Sequence, residues 1–199
     1  MNVRLQYDLE FLAGIYYDQM LHMNSYSVTL NLVTRTPHAS STNIAMDRLK
    51  AFVMSELANT VFINQNSMEQ AEMLAVMGIN VTTLPEEPVD QIIGMMLYYK
   101  LNAVMEGRMI VDSLDLSSVL GDSVWYRHDE DDLSGPFAEP GWWHEPNIRH
   151  HDLATDEEKS NVLKVMNHSW SEYGLQWIED STTATGNTVV FADFNKDEN

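Results

Sequence analysis

Two stretches of strict alternation constrain the fold more than any other feature of the sequence. Apolar residues occupy every second position from Val3 to Phe11, and the positions between them are charged or polar. The same period of two returns from Tyr26 to Leu32, with serine, threonine and asparagine between the apolar residues. Side chains of a β-strand point alternately to opposite faces, so each stretch predicts a strand with one buried and one wet face. The two strands are expected to pair as antiparallel neighbours.

Three helices are predicted downstream of these strands. Ser40, Ser41 or Thr42 is expected to cap the first helix, because a hydroxyl oxygen can accept hydrogen bonds from the unpaired N–H groups there. Pro88 suits the first turn of the third helix, and glycine residues end the second and third. Another alternating stretch follows the third helix. The predicted helices span about 40–57, 67–78 and 88–107, and the extended pieces span 79–84 and 108–119.

The composition changes after residue 120. We therefore divide the chain into an α+β domain (1–126), an acidic loop rich in proline and tryptophan (127–152) and a C-terminal extension (153–199). The extension is predicted to contain a helix from about Thr155 to Tyr173 and a terminal β-hairpin, because a capping box opens this helix and Gly174 ends it. A long loop in a compact domain is usually functional or disordered.

Charge and cysteine content exclude several classes of function. The 199 residues carry a formal charge of −19 and no cysteine, which rules out disulfides, thiolate metal sites and a cysteine nucleophile. An acidic surface repels nucleic-acid phosphates and acidic lipids, so neither nucleic acid nor membrane is an expected partner. No apolar run is long enough to cross a bilayer, and the alternating N-terminus does not read as a signal peptide. A cytoplasmic location is expected.

Five short motifs occur together in the first 126 residues. They are FLAGI at 11–15, LHMNSYSV at 21–28, MDRLK at 46–50, LANTVFIN at 57–64 and PVDQI at 88–92. In order and spacing they resemble the 6-pyruvoyl-tetrahydropterin synthase and 6-carboxytetrahydropterin synthase family, which has the tunnelling fold. The resemblance implies an antiparallel sheet with helices packed on one face, closed into a barrel by association of subunits. The protein is accordingly expected to be a homo-oligomer.

The resemblance also implies where a zinc site would lie, and the sequence departs from it there. Family members hold zinc with three histidines, and the matching positions here are Ile15, His22 and Asn24. One imidazole is a poor ligand set for zinc, so we expect no metal at this position and no cofactor. Asp18 stands where the family has a cysteine nucleophile. His22 and Asp18 remain candidates for catalysis in a rebuilt site, and whether the protein is an enzyme stays open.

Other candidate residues lie in the last predicted strand and in the tryptophan-rich loop. Asp115 is the nearest carboxylate to the position of the family's pterin-anchoring glutamate. Trp142 and Trp143 can stack on a planar ligand, or plug the loop into the domain, in which case both indoles are buried. Imidazoles and carboxylates are suitable metal ligands, and a weaker metal-binding alternative in the loop consists of His144, His150 and His151.

These observations support two functions of different classes. The first is a divergent tunnelling-fold protein that lacks the family's zinc-dependent synthase activity and binds a purine- or pterin-like molecule at a subunit interface. The second is an acidic protein-interaction protein of a phage-like kind, with no small-molecule chemistry. Stabilisation of the fold by pterins or guanine nucleotides would separate them.

Overall fold

The structure, a computed structural model, describes residues 3–129, 135–151 and 169–178. The strands are β1 (Arg4–Tyr17), β2 (Met20–Thr34), β3 (Val61–Asn64), β4 (Val81–Leu84), β5 (Met109–Ser118) and β6 (Tyr126–Asp129). The helices are α1 (Ala39–Ala51), α2 (Met68–Val76) and α3 (Asp90–Met105). A π-helical segment, Phe52–Leu57, continues α1, and two short 3-10 turns lie at Gln65–Ser67 and Trp142–His144.

Strands β1 and β2 form one long antiparallel hairpin, as expected from their alternation. Their register pairs Arg4 with Val33 at one end and Tyr17 with Met20 at the other. Asp18, with a φ of 49°, and the next residue, with a φ of 60°, form the turn. Two consecutive positive φ angles are typical of the type I′ turn, whose twist matches that of paired strands. The hairpin thus extends well beyond the stretches predicted from alternation.

The sheet has the strand order β4-β3-β1-β2-β5-β6 and is mixed. The pairs β1–β2, β2–β5 and β5–β6 are antiparallel, whereas the pairs β1–β3 and β3–β4 are parallel. The α+β class is confirmed. Two short strands, β3 and β6, had no counterpart among the predicted elements, because each has only four residues and so shows little periodicity.

The helices divide between the two faces of the sheet. We call the side that carries Phe11, Tyr26 and Leu114 the inner face, and there these residues join α1 and α3 in the main core. Helix α2 packs on the opposite, outer face, where Ala71 contacts a smaller cluster that includes Val61. Both β3 and β4 are buried along their whole length because they are covered from both sides.

The ends of the helices differ in part from the predictions. Helix α1 begins at Ala39, and its N-cap residue, His38, makes no capping hydrogen bond through its side chain. The hydroxyls at 40–42 therefore lie inside the first turn, and that of Thr42 donates back to the His38 carbonyl oxygen at 3.3 Å. The predicted second helix does stop at Gly78, which has a φ of 80°, a conformation that glycine adopts without strain.

The main core also includes the described parts of the loop and the C-terminal extension. Phe137, Trp142, Trp143 and Trp170 all belong to it, which confirms that the tryptophan-rich loop packs back on the domain. Residues 170–174 form turns where the end of a helix was predicted, and residues 175–178 have no regular structure. The rest of that helix and most of the predicted hairpin lie outside the described residues. No helix in the described ranges is long and apolar enough to cross a membrane.

Candidate functional site

The positions that match the zinc ligands of the resembled family lie side by side on the inner face. Ile15 pairs with His22 across the hairpin, and Ala13 pairs with Asn24. His22 and Asn24 are two residues apart on β2 and so point the same way. The sequence alignment of the motifs therefore corresponds to one location in the fold. Asp18, the other candidate, lies exposed in the hairpin turn.

The side-chain oxygen of Asn24 is already engaged by the backbone. Its Oδ1 accepts hydrogen bonds from the N–H groups of Ser25, at 2.9 Å, and Leu120, at 3.0 Å, and the side chain is buried. It thereby ties the loop after β5 to the hairpin. An amide oxygen with two backbone donors is not free to bind a metal ion, so His22 is left as a single strong ligand.

A buried polar group continues this row along β2. The ring of Tyr26 is fully buried and stacks on Phe11 with centroids 5.0 Å apart. Its hydroxyl has no hydrogen-bond partner among the described residues. Burial raises the pKa of this phenol, the neighbouring Asn24 side chain opposes that shift, and the negative charge of Asp90 adds to it, so the hydroxyl remains a proton donor. A buried donor without a partner costs about 1–3 kcal/mol.

Asp90 supplies the carboxylate of this site from the first turn of α3. Ser118, which pairs with Tyr26 in the sheet, donates its hydroxyl to Asp90 at 2.7–2.8 Å. The loop after β5 passes so close that a Cβ on Gly121 would lie 2.2 Å from Asp90 Oδ2. Burial raises the pKa of the Asp90 carboxyl, and the Ser118 hydrogen bond opposes that shift.

We call His22, Asn24, Tyr26, Asp90 and Ser118 the inner-face site. It combines an imidazole, a phenol and a carboxylate within one row, and its half-buried members, His22 and Asp90, reach solvent. A carboxylate has about four acceptor positions, of which Ser118 uses a part. The site can therefore accept paired N–H donors from a flat ligand.

Asp115 is held elsewhere. It faces Thr29 across the sheet, one residue out of phase with the inner-face positions, and so belongs to the outer face. Arg127 on β6 donates two hydrogen bonds to it, at 2.7 and 2.9 Å. Both carboxylate oxygens are thus paired with a guanidinium on the side of the sheet opposite His22.

The two tryptophans that were candidates for ligand stacking fill the core. Trp142 and Trp143 are 1% and 4% exposed. Their indole N–H groups donate to the carbonyl oxygens of Thr83, at 3.0 Å, and Phe137, at 3.3 Å. Neither ring offers a face to a ligand in this structure.

The three loop histidines are separated into two environments. His144 is exposed and makes an edge contact with Tyr99, with ring centroids 5.1 Å apart. His150 and His151 are buried, with centroids 5.4 Å apart. In the described ranges no three side chains among histidine, aspartate and glutamate are placed to hold a metal ion.

His150 belongs to a buried chain of polar side chains. Its Nδ1 lies 3.0 Å from the hydroxyl oxygen of Thr82, which in turn lies 3.1 Å from that of Thr60. Its Nε2 lies 3.8 Å from Glu56 Oε2, and the other carboxylate oxygen of Glu56 accepts a 2.5 Å hydrogen bond from the Tyr173 hydroxyl. The chain resembles a nucleophile–base–acid series, but Thr82 is fully buried and no substrate can reach it.

Burial sets the charge of the histidines in this buried chain of polar side chains. It lowers the pKa of His150 to about 3, with the charges of His151 and Lys100 acting in the same direction. The pKa of His151 falls to about 4 for the same main reason, and Arg149 adds to the effect. Both imidazoles are neutral at neutral pH. Glu56 lies in the π-helical segment, a kind of distortion that is frequent at functional sites.

Lys100 on α3 anchors the loop from inside the core. Its Nζ donates to the carbonyl oxygens of Trp142 and Glu145, each at 2.9 Å. Burial lowers its pKa to about 7. This buried cation was not predicted, although the sequence carries a signal for it: Lys100 is the single charged residue between Gln91 and Met105. A lone charge within an apolar helix predicts a buried, hydrogen-bonded cation.

Arg48 anchors residues 169–178 in the same way. Its guanidinium lies 3.9 Å from the ring centroid of Trp177 and 4.9 Å from that of Trp170. It also donates to the Leu175 carbonyl oxygen at 2.8 Å and to Glu106 Oε1 at 2.7 Å. Cation–π contacts of a desolvated arginine contribute about 2 kcal/mol. This anchoring could not be predicted, because the partners lie more than a hundred residues apart.

Comparison with known proteins finds solved structures that this chain resembles in fold. No family profile matches the chain, and no curated protein matches its sequence. Among solved structures, an uncharacterized protein from Wolinella succinogenes matches with a TM-score of 0.47 and 11% identity, covering 65% of this chain and 99% of that one. A 6-pyruvoyl tetrahydropterin synthase from Plasmodium vivax matches with a TM-score of 0.43 and 11% identity, covering 64% and 97%.

The corresponding enzyme from Plasmodium falciparum has a TM-score of 0.40 and 12% identity, and covers 64% of this chain and 96% of its own. Members of the family that the sequence motifs resemble are thus also found among the structural neighbours. Overlap at TM-scores below 0.5 carries no conclusion about the activity, ligands or assembly of this chain.

Proposed function

We propose that this protein binds a flat, nitrogen-rich heterocycle of the purine or pterin class, as a homo-oligomer, without the zinc-dependent synthase chemistry of the family that its motifs resemble. The observation that carries the proposal is the half-buried carboxylate of Asp90, held by Ser118 and flanked by the buried, unpaired hydroxyl of Tyr26. Native proteins rarely leave a buried donor unpaired, so such a group points to a partner that completes the site.

The chemistry of the site favours this class of ligand. Purine and pterin rings present adjacent N–H groups that match the two oxygens of a carboxylate, and Asp90 has acceptor positions left. Because the Tyr26 hydroxyl is buried, a ligand would first meet the half-buried carboxylate of Asp90, and His22 borders the open end of the row. No reaction step is assigned, because no side chain of the inner-face site is placed to act as a nucleophile.

Calorimetric titration with guanosine and with a soluble pterin tests the proposal. Asp90→Asn is expected to weaken binding about 10- to 100-fold, because hydrogen bonds to a charged group are worth about 1.5–3 kcal/mol. Tyr26→Phe keeps the ring stack with Phe11 and removes one hydroxyl, so a loss of up to about tenfold is expected. Asp115→Asn, which changes a carboxylate on the outer face, is the matched control and should leave binding unchanged.

Two results would contradict the proposal. The first is that neither compound binds the wild type. The second is that Asp115→Asn abolishes binding while Asp90→Asn does not, which would identify Asp115 as the residue that anchors the ligand. Absence of binding together with a stable complex with another protein would favour the acidic interaction protein. The cytoplasmic location expected from the sequence remains part of the proposal.

A further inference from the structure

An uncovered apolar surface lies on the outer face of the sheet at the hairpin end. Leu12 and Met23 are 54% and 62% exposed, and Leu21 and Val119 are similarly open to solvent. The register makes them neighbours: Leu12 pairs with Ser25, whose carbonyl oxygen accepts the N–H of Val119 at 3.1 Å. We call these four apolar residues the hairpin patch.

A second exposed apolar strip adjoins this patch. Helix α2 packs on the sheet through Ala71 and Leu74. Its other side, with the residue after it, exposes Met73, Val76 and Met77 at positions three and four apart, which is one stripe of a helix. We call these three residues the helix stripe. A helix that is apolar on both sides is typical of a buried helix, not of a surface one.

Gly14 connects the two surfaces. A Cβ placed on it would lie 3.0 Å from Val61 Cγ2 and 3.2 Å from Leu21 Cδ1. Val61 belongs to the cluster beneath α2, and Leu21 belongs to the hairpin patch. The absence of a side chain at Gly14 therefore lets Val61 and Leu21 close over it, so that the hairpin patch and the cluster beneath α2 meet there.

Charged side chains are sparse in this region of an acidic protein, although the exposed Glu10 and Glu72 border it. Asp18 is the single charged residue between Phe11 and Thr34, and residues 73–80 carry none. The rest of the same face is polar: Asp8 Oδ1 accepts a hydrogen bond from Thr29 at 2.8 Å, and Asp115 is paired with Arg127. Two chains of charge −19 repel each other over most of their surfaces, so an uncharged region is where copies can meet.

We propose that the hairpin patch and the helix stripe together form a two-fold interface with a second copy of this chain. In an isologous contact, a surface on one subunit meets its counterpart on the other, and the reverse contact follows by symmetry. The hairpin patch of one copy covers the helix stripe of its partner, and each copy thereby buries both apolar surfaces. This inference names the contact surface for the homo-oligomer in the proposed function and is independent of the ligand.

A basic protein partner is disfavoured by the same observations. Such a partner would gain most by contacting the acidic surface, and complementary charge would then be found around the contact. The region described here instead offers apolar side chains with one aspartate in the turn. A partner with the same apolar surface, namely a second copy, fits this chemistry better.

Light scattering during gel filtration of the full chain tests the inference. The wild type is expected to have at least twice the mass of one chain at micromolar concentration. Met23→Glu, in the hairpin patch, and Met77→Glu, in the helix stripe, should each lower the association at least tenfold. Met54→Glu is the matched control, because Met54 is 53% exposed on the π-helical segment and should leave the mass unchanged.

The outcomes separate this inference from the rest of the proposed function. A monomeric wild type overturns both the interface and the homo-oligomer, whereas ligand titration still tests the inner-face site alone. An oligomeric wild type whose mass is unchanged by Met23→Glu and Met77→Glu overturns this interface and leaves the open sheet edges of β4 and β6 as the contact. Circular dichroism checks that each variant is folded.

Discussion

The loop side of the core and the hairpin end of the sheet differ in how completely their side chains are paired or covered. Trp142 and Lys100 represent the loop side, and Tyr26 and Met23 represent the hairpin end. On the loop side, the indole N–H and the ammonium group each have acceptors within 3.0 Å. At the hairpin end, the described structure leaves the Tyr26 hydroxyl unpaired and Met23 exposed. His151 Nδ1, in the same loop, also has no partner among the described residues, so the contrast lies in exposure. Buried, paired groups such as those of Trp142 and Lys100 supply stability, whereas exposed apolar side chains such as Met23 are available to a partner.

The difference also separates what matches the resembled family from what does not. The hairpin end carries the motifs at 11–15 and 21–28, with most of the zinc ligands replaced. The loop and residues 169–178 lie beyond the stretch where motifs were found, yet they belong to the same core. Residues outside the resemblance therefore hold the fold together, while those inside it provide the candidate site.

The largest expected effect comes from removing a core indole on the loop side. Trp142→Ala should lower the free energy of unfolding by about 3–5 kcal/mol, because it removes buried apolar area and leaves a cavity. Trp125→Ala is the matched control, since Trp125 is 55% exposed, and it should change stability little. Chemical denaturation of both variants measures the effect. Equal losses would mean that the loop is not part of the core.

An intermediate effect is expected from pH. His150 and His151 have folded pKa values of about 3 and 4, below the usual value near 6.5 of an unfolded chain. The folded state therefore binds fewer protons, so stability is fully present above pH 6.5 and is lost as the pH falls from 6.5 toward 4. Each histidine contributes at most about 1.4 kcal/mol per pH unit in that window.

The charged and titratable groups facing the pair are Glu56, Lys100, Arg149 and Tyr173, and Lys100, whose pKa is about 7, also gains a proton as the pH falls below 7. Denaturation of the wild type and of His150→Gln at pH 7.0, 5.5 and 4.5 isolates the histidine term. The variant should lose less stability over this range. Parallel curves for the two proteins would show that His150 does not titrate in the window.

The smallest expected effect concerns metal. His22 lacks imidazole partners at Ile15 and Asn24, and the buried His150 contacts Thr82 and Glu56. Elemental analysis should find well below one zinc per chain, and a chelator should leave the melting temperature unchanged. One zinc per chain that is lost in His22→Ala would restore the family site. Zinc lost instead in His144→Ala or His150→Ala would place a metal site in the loop.

The sequence by itself determined the features that repeat locally. Alternation located β1, β2 and β5 and assigned their inward residues, because side chains of a strand change face at every step. Periodicity and glycine located α1, α2 and α3 to within a few residues at most ends. Ile15, His22 and Asn24 lie outside the predicted alternating stretches, so their position was implied by the resemblance of the motifs alone, and most members of the inner-face site were not predicted.

Only the tertiary structure decided which distant groups meet. Asp90 and Ser118 are 28 residues apart in the chain, and Glu56 and Tyr173 are 117 apart, and no local pattern links either pair. The side of the sheet that α2 covers was equally undetermined, since both sides of that helix are apolar. Local geometry follows from neighbouring residues, whereas these contacts depend on how whole elements pack, which the burial of the entire core decides.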